Sequence, residues 1–186
     1  MCFETFRRLA VFLSLFTFGF SGVSCNKNPG PQAGELVPDF ELPDLNGRLK
    51  RLADLRGQVV VLNYWATWCP PCVDEMPSLE KLHRTLEDEG LAVVAVSVDE
   101  RFSDIVDFVK SYGLTFTILH DNGRKVARSY RAFKYPETYI IDRDGRLKSK
   151  VIGPRDWVAP TVIRDLVALL NRNREPGTEE KQERGS

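Results

Sequence analysis

The sequence predicts an α/β fold, a mixed central sheet with helices on both faces, led by an N-terminal β-hairpin and carrying a central strand-helix insertion. Three observations predict it. Two near-continuous apolar runs, VVVLNYW at residues 59–65 and LAVVAVSV at residues 91–98, read as strands covered on both faces. An apolar stripe at helical spacing separates them, which makes a βαβ unit with a parallel pair. Further on, two short strand-like runs surround Asp142-Arg143-Asp144-Gly145, a hairpin signal, and an amphipathic helix follows.

In chain order, residues 40–42 and 48–52 flank Asp44-Leu45-Asn46-Gly47, a turn signal, and predict the leading hairpin. Residues 59–65 belong at the centre of the sheet. Val73, Met76, Leu79, Leu82 and Leu86 recur at helical spacing, and Gly90 ends that helix. After the second buried strand, Ser103 is positioned to cap a helix whose stripe is Ile105, Phe108, Val109 and Tyr112, closed by Gly113. Residues 116–119 predict a strand and 124–130 a short helix. Residues 138–141 and 147–152 form the hairpin around Asp142–Gly145, and 158–170 the last helix.

The ends carry a different message. Arg7 and Arg8, an apolar stretch over residues 9–20 and the small residues Ser21 to Ser24 read as an export signal over residues 1–24. Twelve helical residues reach about 18 Å, short of a hydrocarbon core of about 30 Å. Cys25 then stands where bacterial lipoproteins carry their lipidated cysteine: Val23-Ser24-Cys25 resembles the end of a lipobox, although Gly22 replaces the usual Leu. Residues 25–37, with Pro29, Gly30, Pro31 and Gly34, read as the modified cysteine and a linker, of which the twelve residues 26–37 would reach about 35 Å if extended. Residues 38–171 make the domain, and the polar stretch 172–186 reads as a disordered tail.

Basic and acidic residues number 26 each, so no overall charge recruits nucleic acid. Cys2 and Cys25 bracket the export signal, which leaves Cys69 and Cys72 alone in the domain and excludes a structural disulfide framework. Cys69-Pro70-Pro71-Cys72 falls where a buried strand turns into a helix. A helix N-terminus favours a thiolate, so Cys69 is the expected nucleophile on a substrate disulfide and Cys72 the thiol that resolves the mixed disulfide. Zinc would need further ligands, and His83 and His120 are the only histidines. His83 reads as a solvated helix residue and His120 as an unremarked strand end. No metal and no cofactor is expected.

The run Trp65-Ala66-Thr67-Trp68-Cys69-Pro70-Pro71-Cys72, with Glu75 and Pro77 after it, resembles the active site of the TlpA-like thioredoxins, including the ResA and CcmG types. Val37-Pro38-Asp39-Phe40 and residues 57–63 resemble that family's opening, and the likeness runs from residue 37 to about residue 170. It implies a thioredoxin fold, a kink at Pro77, and a cis proline at Tyr135-Pro136 facing the cysteines, where the backbone pairs with an extended substrate. Trp68, Pro70, Pro71, Tyr135 and Pro136 are thereby the implied substrate-binding residues. Two departures stand out. Asn63 occupies the place of thioredoxin's buried Asp, and Tyr135 precedes the cis proline where a smaller residue is commoner. Glu75, one turn beyond Cys72, and Glu137, after Pro136, match acidic positions of the family and are the candidates to accept the Cys72 proton. Trp157 reads as helix packing.

The expected activity is a membrane-tethered protein-disulfide reductant outside the cytoplasm, on the periplasmic side. The resemblance implies apocytochrome c among its substrates and an upstream membrane dithiol donor. Two other readings stand beside it. Residues 37–40 also look like peroxiredoxins, although those use Thr/Ser-x-x-Cys, and a metallochaperone-type assembly factor would use CxxxC with a distal His.

Overall fold

The computed structural model describes residues 29–172; the export signal, Cys25 and residues 173–186 lie outside the described residues. Strands β1 (Glu41–Pro43) and β2 (Leu49–Arg51) form the antiparallel hairpin. Strand β3 (Val59–Trp65) is buried along its whole length, because both of its edges and both of its faces are covered. Helix α1 (Pro70–Leu86) leads back to β4 (Leu91–Ser97), which pairs parallel to β3 from Val59↔Leu91 to Trp65↔Ser97. Gly90 makes that return in a left-handed conformation, φ 91°, which glycine adopts without a Cβ penalty.

Helix α2 (Phe102–Tyr112) and strand β5 (Thr117–His120) extend the parallel part of the sheet. Helix α3 (Lys125–Tyr130) precedes the antiparallel strands β6 (Glu137–Ile141) and β7 (Leu147–Ile152), and α4 (Pro160–Asn171) closes the domain. The sheet order is β5-β4-β3-β6-β7. That is the thioredoxin arrangement, with the hairpin in front and the β4–α2–β5 elements leading to an inserted α3. Ser103 does not cap α2: the helix starts one residue earlier, and the Ser103 hydroxyl reaches only the Asp104 carboxylate, at 3.4 Å.

The two faces of the sheet have different contents. Tyr64 of β3, Tyr139 of β6 and Tyr130 of α3 pack as mutually edge-on or tilted rings, with centroids 5.3–5.7 Å apart. The Tyr130 hydroxyl donates to the Pro38 carbonyl and the Tyr139 hydroxyl to the Tyr130 carbonyl, which ties α3 to the sheet. The opposite face, presented by Asn63, Thr138 and Ile140, receives α1 and α4.

The segment expected to be a linker up to Val37 is docked from Pro29 onward. Gly34 N donates to Leu147 O, Leu147 N to Glu35 O and Val37 N to Gly145 O, and Leu36 bridges Arg146, so the chain adds a ragged edge to β7. Gly30 lies against α3, where a Cβ would come within 2.9 Å of the Tyr130 carbonyl oxygen. Backbone bonding of this kind leaves no hydrophobic period in the sequence, and for that reason composition alone read the segment as a linker. Val37 is buried, and burying a valine stabilises by about 1.5–3 kcal/mol. A chain starting at Pro29 should therefore melt like one carrying residues 1–28, whereas a chain starting at Asp39 should unfold at lower denaturant with β7 less protected from hydrogen exchange.

Candidate active site

Strand β3 ends at Trp65, and the turn that follows is fixed before the first cysteine. Thr67 donates its amide to Asp99 Oδ2 at 3.1 Å and its hydroxyl to Asp99 Oδ1 at 2.6 Å, and Ser97 Oγ donates to the same carboxylate at 2.7 Å. His120 is buried rather than incidental, with Nε2 2.9 Å from the Asp99 carbonyl oxygen. His83 is mostly covered as well, and its ring pairs with Glu87 on the next turn. Asp99 and His120 thus anchor the turn that presents Trp68 and Cys69, a role that only the β3–β4–β5 register makes visible.

Cys69 caps helix α1, with Pro70 and Pro71 in its first turn, where a missing amide hydrogen leaves no helical bond unmade. Cys69 and Cys72 are joined by a disulfide. Cys69 is 6% exposed and Cys72 is fully buried, so an external sulfur can reach only Cys69. The Cys72 amide donates to the Cys69 carbonyl at 3.0 Å, as does that of Val73 at 3.1 Å. The Tyr135–Pro136 peptide bond is cis. Tyr135 stands edge-on to Trp68, with ring centroids 6.2 Å apart, so the two aromatics are neighbours beside Cys69.

One turn past Cys72 the carboxylate of Glu75 is buried, 3% exposed, and accepts three N–H groups. Asn63 Nδ2 donates to Oε1 at 2.7 Å; Trp157 Nε1 and the Arg155 amide donate to Oε2, each at 3.1 Å. Asn63 Nδ2 also reaches Thr138 Oγ1 at 2.8 Å. Burial raises the Glu75 pKa above its usual value, and the three donors offset only part of that rise. An open cleft lined by Asp74, Glu75, Ser78, Pro154, Arg155 and Asp156 lies beside this residue. A buried carboxyl with a raised pKa, one helical turn from the resolving thiol, is the candidate acceptor for the Cys72 proton.

Glu137 is placed elsewhere. It and Tyr139 share one face of β6, while Thr138 points to the other, toward Asn63 and Glu75. Glu137 Oε1 accepts the amides of Phe133 and Lys134 at 2.7 and 2.6 Å, and Oε2 pairs with Lys150 Nζ at 2.5 Å. Its carboxylate is thereby committed to holding the loop ahead of Pro136, which corrects its assignment as a proton acceptor for Cys72. Trp157 does more than pack, and Thr138, Trp157 and Arg155 complete a network whose only sequence signals were Glu75 and Asn63.

A buried cysteine pair at a helix start, a cis proline next to the tyrosine that packs against Trp68, and a sheet in this order define a thiol-disulfide oxidoreductase of the thioredoxin fold. Residues 33–150 match the AhpC/TSA family model, and the chain belongs to that family. It is 38% identical over 122 residues to the thiol-disulfide oxidoreductase ResA of Bacillus cereus, covering 66% of this chain and 70% of that protein. With the thioredoxin-like protein YneN of Bacillus subtilis it shares 39% identity over 153 residues, 78% of this chain and 89% of that one. A crystal structure from Chlorobium tepidum, described as the thiol:disulfide interchange protein DsbE, superposes with a TM-score of 0.71 at 30% identity over 76% of this chain and 99% of that chain.

The network sets a measurable pH dependence. The native state holds the Glu75 proton more tightly than the unfolded chain, so the stability of the oxidised protein should fall as pH rises from 4.5, the ordinary glutamate value, through the raised native value. Glu75→Gln should flatten that decline in denaturant melts. In the reduced protein the same substitution should move the Cys72 titration downward, by removing a nearby negative charge, and slow disulfide exchange about a hundredfold. Glu137→Gln should leave the thiol titration where it is.

Proposed function

We propose that this protein reduces disulfides in other proteins outside the cytoplasm, with Cys69 as nucleophile, Cys72 as resolving thiol and Glu75 as proton acceptor. The observation that carries the reading is the buried Glu75 carboxylate, one turn beyond a fully buried Cys72. In the first step the Cys69 thiolate attacks one substrate sulfur. The substrate S–S bond breaks, a mixed disulfide forms, and the displaced substrate thiolate takes up a proton. Cys72 then loses its proton to Glu75 and attacks Cys69. The Cys69–Cys72 bond forms, the mixed disulfide breaks, and the second substrate sulfur leaves as a thiol. The substrate gains two electrons and two protons, no cofactor intervenes, and a dithiol donor on the membrane side must return the pair to its reduced form.

The direction of electron flow follows from the motif. Pro70 and Pro71 offer no N–H to a Cys69 thiolate, and the Cys72 amide is already directed at the Cys69 carbonyl. A poorly solvated thiolate leaves the reduced form less stable, as in a reductant. The pair should have a potential closer to thioredoxin's, about −270 mV, than to that of the oxidant DsbA, about −120 mV; a value near the latter would reverse the assignment. Apocytochrome c is among the substrates that the family resemblance supports. A Cys72→Ser variant should accumulate mixed disulfides through Cys69, and identification of the captured proteins tests that substrate directly.

The location rests on the export signal and on Cys25 as a lipid anchor. With the chain docked from Pro29, only three residues separate that cysteine from the domain, a reach of at most about 14 Å. The domain would therefore work against the membrane surface rather than clear of it. A Cys25→Ala protein should lose membrane association, and a wild-type protein that already fractionates as soluble would contradict the anchor. The AhpC/TSA match keeps a thiol peroxidase as the second reading; peroxide consumption by the reduced protein at a rate matching its disulfide exchange would favour it.

A further inference from the structure

The surface beside Trp68 combines exposed aromatic rings with a predominantly basic rim. Trp68 and Phe133 are each 56% exposed, far more than aromatic residues that only pack. The guanidinium of Arg124 lies 5.7 Å from the centroid of the Trp68 ring, and Arg124 holds a left-handed backbone, φ 60°, which is unfavourable for a non-glycine residue. Burial raises the Tyr135 pKa, and the charges of Arg124 and, one turn further along, Arg128 lower it against those of Asp121 and Glu137, so both arginines act at this ring.

Residues 124–134 contain Arg124, Lys125, Arg128, Arg131 and Lys134 and no acidic residue. The two acids that border the segment are buried and already occupied. Asp121 Oδ2 accepts the Ala127 amide at 2.7 Å, and Glu137 holds the Phe133 and Lys134 amides and Lys150. Among the described residues, Arg124, Lys125, Arg128 and Lys134 form no ion pair within the protein, so their charges are open to a partner. Cations outnumber the bordering Asp121 and Glu137 carboxylates along this rim, and a basic rim beside exposed aromatics is complementary to a negatively charged partner.

We propose that this surface selects disulfides in polypeptide segments that carry acidic residues beside the target cysteine, with Arg124 and Arg128 as specificity determinants. The inference rests on the protein-disulfide reductant reading and names its substrate class. It runs against the intrinsic chemistry. Acidic neighbours repel an incoming thiolate and raise the pKa of the departing thiol, so a simple dithiol should reduce such a disulfide more slowly than a basic one. A preference for acidic flanks must therefore come from the protein surface.

The test uses the reduced full-length protein and three disulfide-looped peptides that differ only in the two residues flanking the reactive cysteine: Glu, Gln or Lys. The rate constant for each is divided by that of dithiothreitol with the same peptide. The normalised Glu-to-Lys ratio should be roughly tenfold at low ionic strength and approach unity in molar salt. An Arg124→Glu/Arg128→Glu variant should invert the order, and the Gln pair of substitutions should bring the ratio near one; because the ratio is internal to one preparation, a loss of folded protein lowers all three rates without changing their order. Equal normalised rates in the wild type, or a preference that survives charge reversal, would overturn this inference alone. Equal peptide rates together with binding to phosphatidylglycerol vesicles that charge reversal abolishes would overturn it in favour of a membrane-facing surface. Failure to reduce even the Gln peptide would overturn the reductant reading, and this inference with it.

Discussion

The arrangement depends on one buried charge. A carboxylate taken out of water must be given hydrogen-bond donors or it neutralises itself by holding its proton. Glu75 is given three, from Asn63 on β3, from the Arg155 backbone and from the Trp157 indole. Those donors come from strand β3 and from the connection between β7 and α4, so the carboxylate pins helix α1 to both at the level of the cysteines. The donors are fewer than full compensation requires, and the residual rise in pKa is what suits Glu75 to the role of base proposed for it. In thioredoxins the buried acid near the resolving cysteine sits on the strand. Here the strand position is the amide Asn63, and the acid has moved to the helix, with Asn63 holding it at 2.7 Å.

Strand periodicity divides the work between the two faces of the sheet. Thr138 faces α1 and completes the Asn63–Glu75 network, while its neighbour Glu137 faces the other way and holds the loop that leads into the cis Pro136. The Asn63–Glu75 network thus lies on one side of β6, and the aromatic and basic surface beside Trp68 is organised from the other through α3 and residues 133–135. The tyrosine cluster of Tyr64, Tyr130 and Tyr139 gives that second side a fixed base.

Local patterns made much of this legible. VVVLNYW announces a doubly covered strand because each of its residues meets a neighbour, and the structure buries all seven. CPPC after such a strand and the helical stripe from Val73 to Leu86 place a dithiol at a helix start. What stayed hidden depends on pairing between distant residues. Nothing near Trp157 shows that its indole reaches a carboxylate 82 positions earlier, and nothing near Asp99 shows that it holds the turn at Thr67. Glu137 was assigned to the cysteines by its distance from Pro136, yet a one-residue difference in a strand reverses the face, and only the register with β3 decides which of Glu137 and Thr138 looks inward. Residues 34–37 lack any apolar period because they are held by backbone bonds to residues 145–147 at the start of β7, which no composition records.

If Glu75 accepts the Cys72 proton, the two groups are energetically coupled, and the coupling must be seen from the carboxyl as well as from the thiol. Carbon NMR titration of the Glu75 side-chain carboxyl, recorded on the disulfide and dithiol forms of the protein, measures it directly. The account predicts that the carboxyl signal of the dithiol form shows a second inflection, at the pH where Cys72 ionises beside the already ionised Glu75, and that the disulfide form shows none. Identical titration curves in the two redox states would contradict it.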